Sequence, residues 1–343
     1  MIFWVERSGE NPDLAAAETA GVVRSLGGKV LRERTDRLPE RFVRVDLAGT
    51  GVALELARRL ALAHRVLAPW PESGVDSLRA RAATEARERP RPLSIDWLVP
   101  PGPAAAGFRA AVADAYVAAG GSIRPATAER RYYLWGDEGP GLGLAELVAR
   151  VDRTAYERRR MPRLPFQRPV SLPPRQARAA ANLAGIGPGL RVADPFVGTG
   201  ALLLEAGLLG ARLFGSDRDA GMIRGALGNL AAVGLGAEAL IVGDAAAAVD
   251  SLPWPEVDVV LTDPPYGRAS STGGEESGEL IRRVLPRWAD RTAAGGRIVL
   301  IGPAGPDPLP PPWVRTVSVP HRVHRSLTRE FRVYERLPAS GPR

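Results

Sequence analysis

The sequence predicts an α/β fold in which a doubly wound, mainly parallel sheet follows an N-terminal α+β region. Strand and helix patterns alternate regularly from residue 171 onward, a glycine-containing turn follows the first of these strands, and four successive strands each end in an acid. Hydrophobic strands that alternate with helices are typical of a parallel sheet covered on both faces. Right-handed crossovers then produce the doubly wound arrangement.

The C-terminal elements form the predicted domain 171–343. Its strand candidates are 190–193, 212–216, 239–242, 257–262, 297–301, 314–319 and 331–335, and its helical stretches are 174–184, 200–209, 219–233 and 277–289. The assignment rests on hydrophobic periodicity, which distinguishes short apolar strands from longer amphipathic helices.

The N-terminal half is predicted to be a small α+β region without obvious chemistry. A strand at 1–6 precedes a helix at 11–27, which Asn11 caps and Pro12 begins. A strand at 42–46, a helix at 51–62, a strand at 93–99, a helix at 108–119 and a strand near 123 or 131–135 follow. The proline-rich, charged passage 69–92 receives no element, and 136–170 is predicted to be a linker.

Composition excludes several classes of site. The chain of 343 residues is 45% hydrophobic and 24% charged, which is ordinary for a globular protein. It has no cysteine, so disulfides, zinc–thiolate sites and cysteine nucleophiles are excluded, and its three histidines offer little for a metal site or a Ser-His-Asp triad. Its start lacks a signal-peptide pattern and no apolar stretch is long enough to span a bilayer. We expect a cytoplasmic protein without a metal.

The chain is strongly basic, which is typical of proteins that bind polyanions. Its formal net charge is +8, and Lys29 is the only lysine. Arginine is the better bidentate phosphate ligand, although codon preference in a GC-rich genome also favours it. Arginines are dense in the second half of the predicted linker, which is either a solvated helix face or a nucleic-acid contact: Arg150, Arg153, Arg158, Arg159, Arg160, Arg163 and Arg168.

The glycine-containing turn predicts a cofactor site. It reads Asp194-Pro195-Phe196-Val197-Gly198-Thr199-Gly200. Gly198 and Gly200 let the backbone turn tightly and approach a ligand closely, and the free N–H groups of the next helix face that ligand. The turn is not Gly-x-Gly-x-x-Gly, and Asp194 would repel a pyrophosphate. The acid suits a cationic amino-acid group, as in S-adenosylmethionine.

Acids at the ends of the next strands extend this site. Asp217 lies 23 residues after Asp194, near the spacing of roughly 20 expected for a ribose-binding acid. Asp244, next to Ala245, follows the third strand and can contact an adenine amino group. Asp263 follows the fourth. Aspartate is also a common helix N-cap, but the ordered series with the glycine turn favours a cofactor site.

The fourth strand leads into the candidate catalytic loop Asp263-Pro264-Pro265-Tyr266. An amino nitrogen on a base is a poor nucleophile because its lone pair is delocalised into the ring. The Asp263 carboxylate and the Pro264 carbonyl can accept hydrogen bonds from its two N–H groups, which favours a pyramidal nitrogen with a freed lone pair. Tyr266 can stack on the base. Asp263 can take the proton. Residues 268–277, rich in Gly and Ser, are predicted to form a mobile loop over the base.

These residues resemble the THUMP-domain tRNA guanosine N2-methyltransferases, which methylate guanosine at position 10 of tRNA. The resemblance covers most of 150–335. It is carried by 168–178, 182–185, 194–200, 215–217, 225–226, 229–230, 263–267 and 324–329, and the opening 8–12 is similar as well. It implies a Rossmann-like class I methyltransferase domain with a seven-stranded sheet, in which Phe196 joins Asp194, Gly198 and Gly200 in binding S-adenosylmethionine.

The resemblance also implies an N-terminal ferredoxin-like domain at 1–68, a THUMP-like RNA-binding domain at 69–135 and tRNA as the partner. A monomer is favoured, and no membrane partner is expected. Two other functions stay open at this point. A DNA adenine-N6 or cytosine-N4 methyltransferase would use the same catalytic tetrapeptide, although no large target-recognition domain follows the sheet. A non-catalytic RNA-binding module would not need the intact Asp263 loop.

Overall fold

The computed structural model describes residues 1–31, 38–102, 105, 107–136, 141–160, 163–169, 171–266, 276–324 and 327–337. Two compact units emerge from the contacts within the chain. The first unit comprises Met1–Gly9, Leu26–Arg58 and Ala63–Val151, and the second comprises Glu10–Ser25, Arg59–Leu62 and Asp152–Arg343. The segment 1–68, predicted to be one domain, thus contributes to both units.

Strands and helices alternate along most of the described chain. The strands are β1 Ile2–Arg7, β2 Lys29–Leu31, β3 Phe42–Asp46, β4 Ala63–Ser73, β5 Pro92–Trp97, β6 Ser122–Ile123, β7 Arg130–Trp135, β8 Gly143–Arg150, β9 Arg191–Asp194, β10 Arg212–Asp217, β11 Ala239–Val242, β12 Val257–Thr262, β13 Thr292–Pro303, β14 Trp313–His324 and β15 Leu327–Arg336. The helices are α1 Pro12–Ser25, α2 Thr50–Arg59, α3 Val75–Glu88, α4 Phe108–Ala118, α5 Arg153–Arg158, α6 Pro174–Leu183, α7 Ala201–Gly207, α8 Ala220–Ala231 and α9 Ser277–Asp290.

The first unit is built on one mixed sheet in the order β2-β3-β1-β4-β8-β7-β5-β6. Its strands pair antiparallel from β2 to β7, whereas β5 runs parallel to both β7 and β6. Helices α3 and α4 pack against this sheet through a buried cluster that includes Leu78, Val112 and Tyr132. The N-terminal half is therefore α+β, as predicted.

Two segments of the first unit differ from the sequence-based expectation. The passage 69–92 contains the end of β4 and the whole of α3, because Leu78, Ala82 and Ala86 form a buried stripe at helical spacing. The stripe consists of one leucine and two alanines and alternates with arginines, so the sequence showed no clear helical pattern of large apolar residues here. The predicted linker 136–170 contains β8, a strand inside the sheet, followed by α5 in the second unit.

The second unit contains a seven-stranded sheet in the order β11-β10-β9-β12-β13-β15-β14. Neighbouring strands from β11 to β13 pair in parallel, and β15 lies antiparallel between β13 and β14. The chain proceeds from β9 outward on one side and returns to β12 on the other. This is the doubly wound arrangement predicted from the sequence, and its switch point lies between β9 and β12.

Helix α1 packs within the second unit, although it lies near the start of the chain. A Cβ added at Gly21 would meet the Asn182 carbonyl oxygen of α6 at 2.8 Å, so the two helices are in close backbone contact. The buried Glu18 carboxylate accepts hydrogen bonds from the Asn182 amide and from the backbone N–H groups of Ala61 and Leu62. Asn11 caps α1 as predicted, accepting from Leu14 N at 3.0 Å.

No helix in the described ranges has both the length and the apolar character needed to cross a membrane.

Candidate active site

A cavity of about 350 Å³ lies at the carboxyl ends of the central strands of the second unit. All the site residues predicted from the sequence except Gly200 line it: Asp194, Phe196, Gly198, Asp217, Asp244, Ala245, Asp263, Pro264, Pro265 and Tyr266. Residues 267–275, which include most of the predicted mobile loop, lie outside the described part of the chain. The cavity is where ligands bind in open α/β sheets, beside the switch point.

The turn after β9 adopts the conformation that its glycines allow. Gly198 has φ of 52° and Gly200 has φ of 81°, both in the left-handed region. Gly200 immediately precedes α7, and a Cβ there would lie 3.1 Å from the Ala226 Cβ of α8. Gly200 therefore shapes the site by allowing the turn and the close approach of two helices, without lining the cavity.

Asp194 is buried at the end of β9. Its Oδ1 accepts hydrogen bonds from Phe196 N at 2.9 Å and from the Thr262 hydroxyl at 2.7 Å. Burial raises the pKa of Asp194 to about 7, and the nearby carboxylates of Asp263 and Asp217 contribute to the rise. A cation entering this end of the cavity would favour the charged form of the carboxylate.

Asp217 at the end of β10 ties two backbone segments together. Its Oδ2 accepts from Gly198 N at 2.9 Å, and its Oδ1 accepts from Asp219 N at 2.9 Å. Because an ionised carboxylate has about four lone-pair sites, each oxygen retains capacity for a further donor. Asp217 can therefore hold the glycine turn and two ligand hydroxyls together.

Asp244 lies after β11 in a more exposed position, with 38% of its side chain accessible. Both its oxygens accept from the Arg283 guanidinium of α9, at 3.0 and 3.1 Å, and Oδ1 also accepts from Ala246 N. These bonds hold the pKa of Asp244 below its usual value. The ion pair to Arg283 was not predicted, and it neutralises much of the charge that Asp244 presents to a ligand.

The candidate catalytic loop begins at Asp263, whose side chain is 19% exposed. Burial raises the pKa of Asp263 to about 6, whereas the positive charge of Arg329 and a hydrogen bond from Tyr266 act in the opposite direction. Oδ1 of Asp263 is buried and has no hydrogen-bond partner among the described residues. The loop thus presents an acceptor that remains unsatisfied.

Residues outside the predicted set also shape the site. The segment 163–169 is fastened to α8 by the buried Asn229 side chain, whose Oδ1 accepts from Phe166 N and whose Nδ2 donates to Phe166 O, each at 2.9 Å. Arg168, at the end of this segment, lines the cavity and lies over the Phe166 ring at 4.7 Å. The sequence indicated this docking only through Asn229, since Arg224 is the only other polar side chain in α8.

Comparisons with known proteins agree with this geometry. A family model described as "RMKL-like, methyltransferase domain" matches residues 162–309. The chain is 38% identical over 57% of its length to the tRNA (guanine(10)-N2)-dimethyltransferase of Methanothermobacter thermautotrophicus, covering 58% of that protein. The crystal structure of TrmN from Thermus thermophilus shares the fold over 98% of this chain and 100% of its own, with a TM-score of 0.51 at 23% identity.

A further relative carries the family assignment. The probable tRNA (guanine(10)-N2)-dimethyltransferase of Methanothermococcus thermolithotrophicus is 30% identical over 47% of this chain, and the match covers 97% of that relative. Against the longer curated relatives, the chain spans little more than half of their length. The chain therefore belongs to the family of the tRNA (guanine(10)-N2)-methyltransferases, with its methyltransferase domain in the second unit.

Proposed function

We propose that this protein uses S-adenosylmethionine to methylate N2 of guanosine in tRNA, at position 10. The observation that carries the proposal is the buried, unsatisfied Asp263 acceptor next to a cavity lined by Asp194, Asp217 and Asp244. The names of the relatives support the choice of guanosine N2 and of tRNA. The proposal places the enzyme in the cytoplasm, as a monomer.

The residues of the cavity fit the proposed cofactor. Asp194 would face its ammonium group, Asp217 its ribose hydroxyls, and Asp244 with Ala245 its adenine. Phe196 supplies an apolar surface, and Gly198 allows the backbone to approach closely. When bound, S-adenosylmethionine supplies an electrophilic methyl group on a positively charged sulfur.

The catalytic loop would act on the amino group of the base. The Asp263 carboxylate and the Pro264 carbonyl accept hydrogen bonds from the two N–H groups of the amino nitrogen. This favours a pyramidal nitrogen, whose lone pair is no longer delocalised into the ring. Pro265 stiffens the loop because proline fixes φ, and Tyr266 stacks on the base. As nitrogen gains its methyl group, Asp263 accepts the proton that nitrogen loses. Positioning and charge complementarity supply much of the catalysis.

The N-terminal region would select tRNA, since the catalytic tetrapeptide serves several bases. We retain the proposal of a ferredoxin-like segment at 1–68, a THUMP-like segment at 69–135 and an arginine-rich connection within 136–170. Arginines that contact phosphates would dominate affinity and make it dependent on salt. The target guanine must become exposed before it reaches the loop.

Transfer of a tritiated methyl group tests the substrate class. The full-length protein is incubated with labelled cofactor and, separately, whole tRNA, duplex DNA and a protein extract, with Asp263→Ala as the control. We expect label in tRNA alone, and only with the wild type. Label in duplex DNA would establish the DNA amino-methyltransferase instead, and binding of tRNA without transfer to any substrate would establish a non-catalytic module.

A further inference from the structure

A buried arginine lies against the catalytic loop without lining the cavity. Arg329 belongs to β15, and 11% of its side chain is exposed. Its Nη1 lies 3.9 Å from Oδ2 of Asp263. Asp263 lines the cavity, whereas Arg329 is absent from the lining residues. Arg329 therefore reaches the site through Asp263.

Both partners contain polar atoms that are buried and unsatisfied. Nε and Nη1 of Arg329 have no hydrogen-bond partner among the described residues, and Nη1 faces Oδ2 of Asp263. Oδ1 of Asp263, which is also unsatisfied, stays available for the amino group of the base. A charge-assisted N–H···O bond is about 2.7–2.9 Å long, so a relative movement of roughly 1 Å would join the two groups. Unsatisfied buried donors and acceptors are costly, and this cost favours the direct pair.

The neighbour of Arg329 on the adjacent strand is a histidine, whose protonation bears on the charge near Asp263. His321 of β14 is its cross-strand partner, and burial, with a smaller contribution from the charge of Arg329, lowers the pKa of His321. The Asn11 carbonyl oxygen caps α1, so the Asn11 amide nitrogen faces Nδ1 of His321, which must accept. Nε2 of the ring lies 2.9 Å from the side-chain amide nitrogen of Gln176. The lowered pKa favours the neutral form of His321 near pH 7.

Apart from Arg329, the described groups that shift the pKa of Asp263 or are shifted by it are not cationic. Tyr266 from the same loop hydrogen bonds with Asp263. Asp194 at the end of β9 is acidic, and the charge of Asp263 raises the pKa of Asp194. Among the described residues that act electrostatically on Asp263, Arg329 is therefore the cation.

We propose that Arg329 is a positioning residue that forms a direct ion pair with Asp263, fixing the orientation of its carboxylate and keeping it ionised for the amino group of the base. This rests on the proposed function, in which Asp263 accepts the amino protons. The ion pair itself can be measured without cofactor or RNA.

The test uses Arg329→Met and Arg329→Lys, with Arg332→Met as the matched control. Arg332 is a second buried arginine on β15, but its guanidinium donates to the backbone carbonyl oxygens of Pro303 and Gly305. The pKa of Asp263 is followed by ¹³C NMR of aspartate-labelled protein, with Asp263→Asn to assign the signal. Turnover against pH and cofactor affinity by calorimetry are measured on the same proteins.

We expect the pKa of Asp263 to rise by about 1–3 units in Arg329→Met, because the favourable cation is lost. Turnover near pH 7 should fall by roughly twofold to a hundredfold, following the lost ionised fraction of Asp263, and recover in part at higher pH. Cofactor affinity should change by less than about twofold, since Arg329 does not line the cavity. Arg332→Met should leave the pKa of Asp263 unchanged.

Arg329→Lys keeps the charge but not the planar fork, so it should retain the pKa of Asp263 and lower turnover severalfold. An unchanged pKa of Asp263 in Arg329→Met would overturn the ion pair. If Arg329→Met does not fold, Arg329→Lys decides, and full turnover in it would overturn the orienting role. A wild type that methylates nothing would defeat the proposed function, while the NMR titration would still decide the ion pair.

Discussion

At the scale of single residues, the site contains buried acids with different surroundings. Asp194 meets neutral donors, from Phe196 N and the Thr262 hydroxyl, whereas Asp263 faces Arg329 and Tyr266. Burial raises the pKa of Asp194 to about 7 and that of Asp263 to about 6. Both carboxylates thus change charge near neutral pH, which makes their roles accessible to pH-dependent measurements.

Replacing Asp194 by asparagine should stabilise the free protein at alkaline pH. The folded pKa of about 7 lies above the unfolded value of about 3.9, so the stability from the protonated acid is present below pH 4 and is lost as pH rises through 7. Asp194→Asn removes this loss. We expect its free energy of unfolding in urea to exceed that of the wild type by about 4 kcal/mol at pH 8, and not at pH 4. A difference independent of pH would contradict the raised pKa.

Removing Asp217 should weaken S-adenosylmethionine binding much more than removing Asp244. Asp217 keeps lone pairs for ligand hydroxyls and also anchors Gly198, whereas Arg283 already neutralises Asp244. Calorimetry should show a loss of about 2–4 kcal/mol for Asp217→Ala. The loss for Asp244→Ala should be about 1 kcal/mol. Unchanged affinity in Asp217→Ala, or equal losses in the two variants, would refute these ligand assignments.

At the scale of elements, the segment 163–169 depends on a glycine of α8. A Cβ added at Gly225 would lie 2.0 Å from the Phe166 ring, whereas one added at Gly228 would meet nothing within 4 Å. Phe166 supports Arg168, which lines the cavity. The fit between α8 and this segment therefore links helix packing to the shape of the site.

Gly225→Ala and Gly228→Ala form a matched pair within one helix. Each replacement favours the helix by roughly 0.5–1 kcal/mol, but only Gly225→Ala displaces Phe166. We expect Gly228→Ala to raise the thermal unfolding midpoint and bind cofactor normally. Gly225→Ala should lower that midpoint and weaken cofactor binding. If both variants behave alike in calorimetry, the docked segment does not shape the cavity.

The elements also show how far the sequence predicts the structure. The strands of the second unit were predictable because each is a short apolar run between turn residues, and the acids that follow them line one cavity. Helix α3 was not predicted, because alanines form much of its buried stripe and give only a weak hydrophobic periodicity. Strand β8 lies in a stretch predicted as a linker from the glycines and prolines at its start. Arg283, the partner of Asp244, and Arg329, which lies near Asp263, are far along the chain from these acids. Local sequence patterns do not predict such long-range pairs.

At the scale of the whole molecule, the methyltransferase unit is discontinuous in sequence. Glu18 of α1 binds Asn182, and Gly21 touches the backbone of α6. A chain that begins near Pro169 would lack α1 and expose this buried surface. Loss of activity after such a truncation would therefore reflect damage to the methyltransferase unit itself, and the full chain with point substitutions is the appropriate material.

Mass spectrometry of tRNA nucleosides tests the central claim most directly. Unmodified tRNA is incubated with S-adenosylmethionine and either the wild type or Asp263→Ala, and is then digested to fragments and nucleosides. We predict N2-methylated guanosine in the fragment containing position 10 with the wild type. Asp263→Ala should bind cofactor with little change but reduce turnover by roughly 10² or more, because a preorganised polar group is lost. Methylation of another base, or near wild-type turnover in Asp263→Ala, would contradict the account.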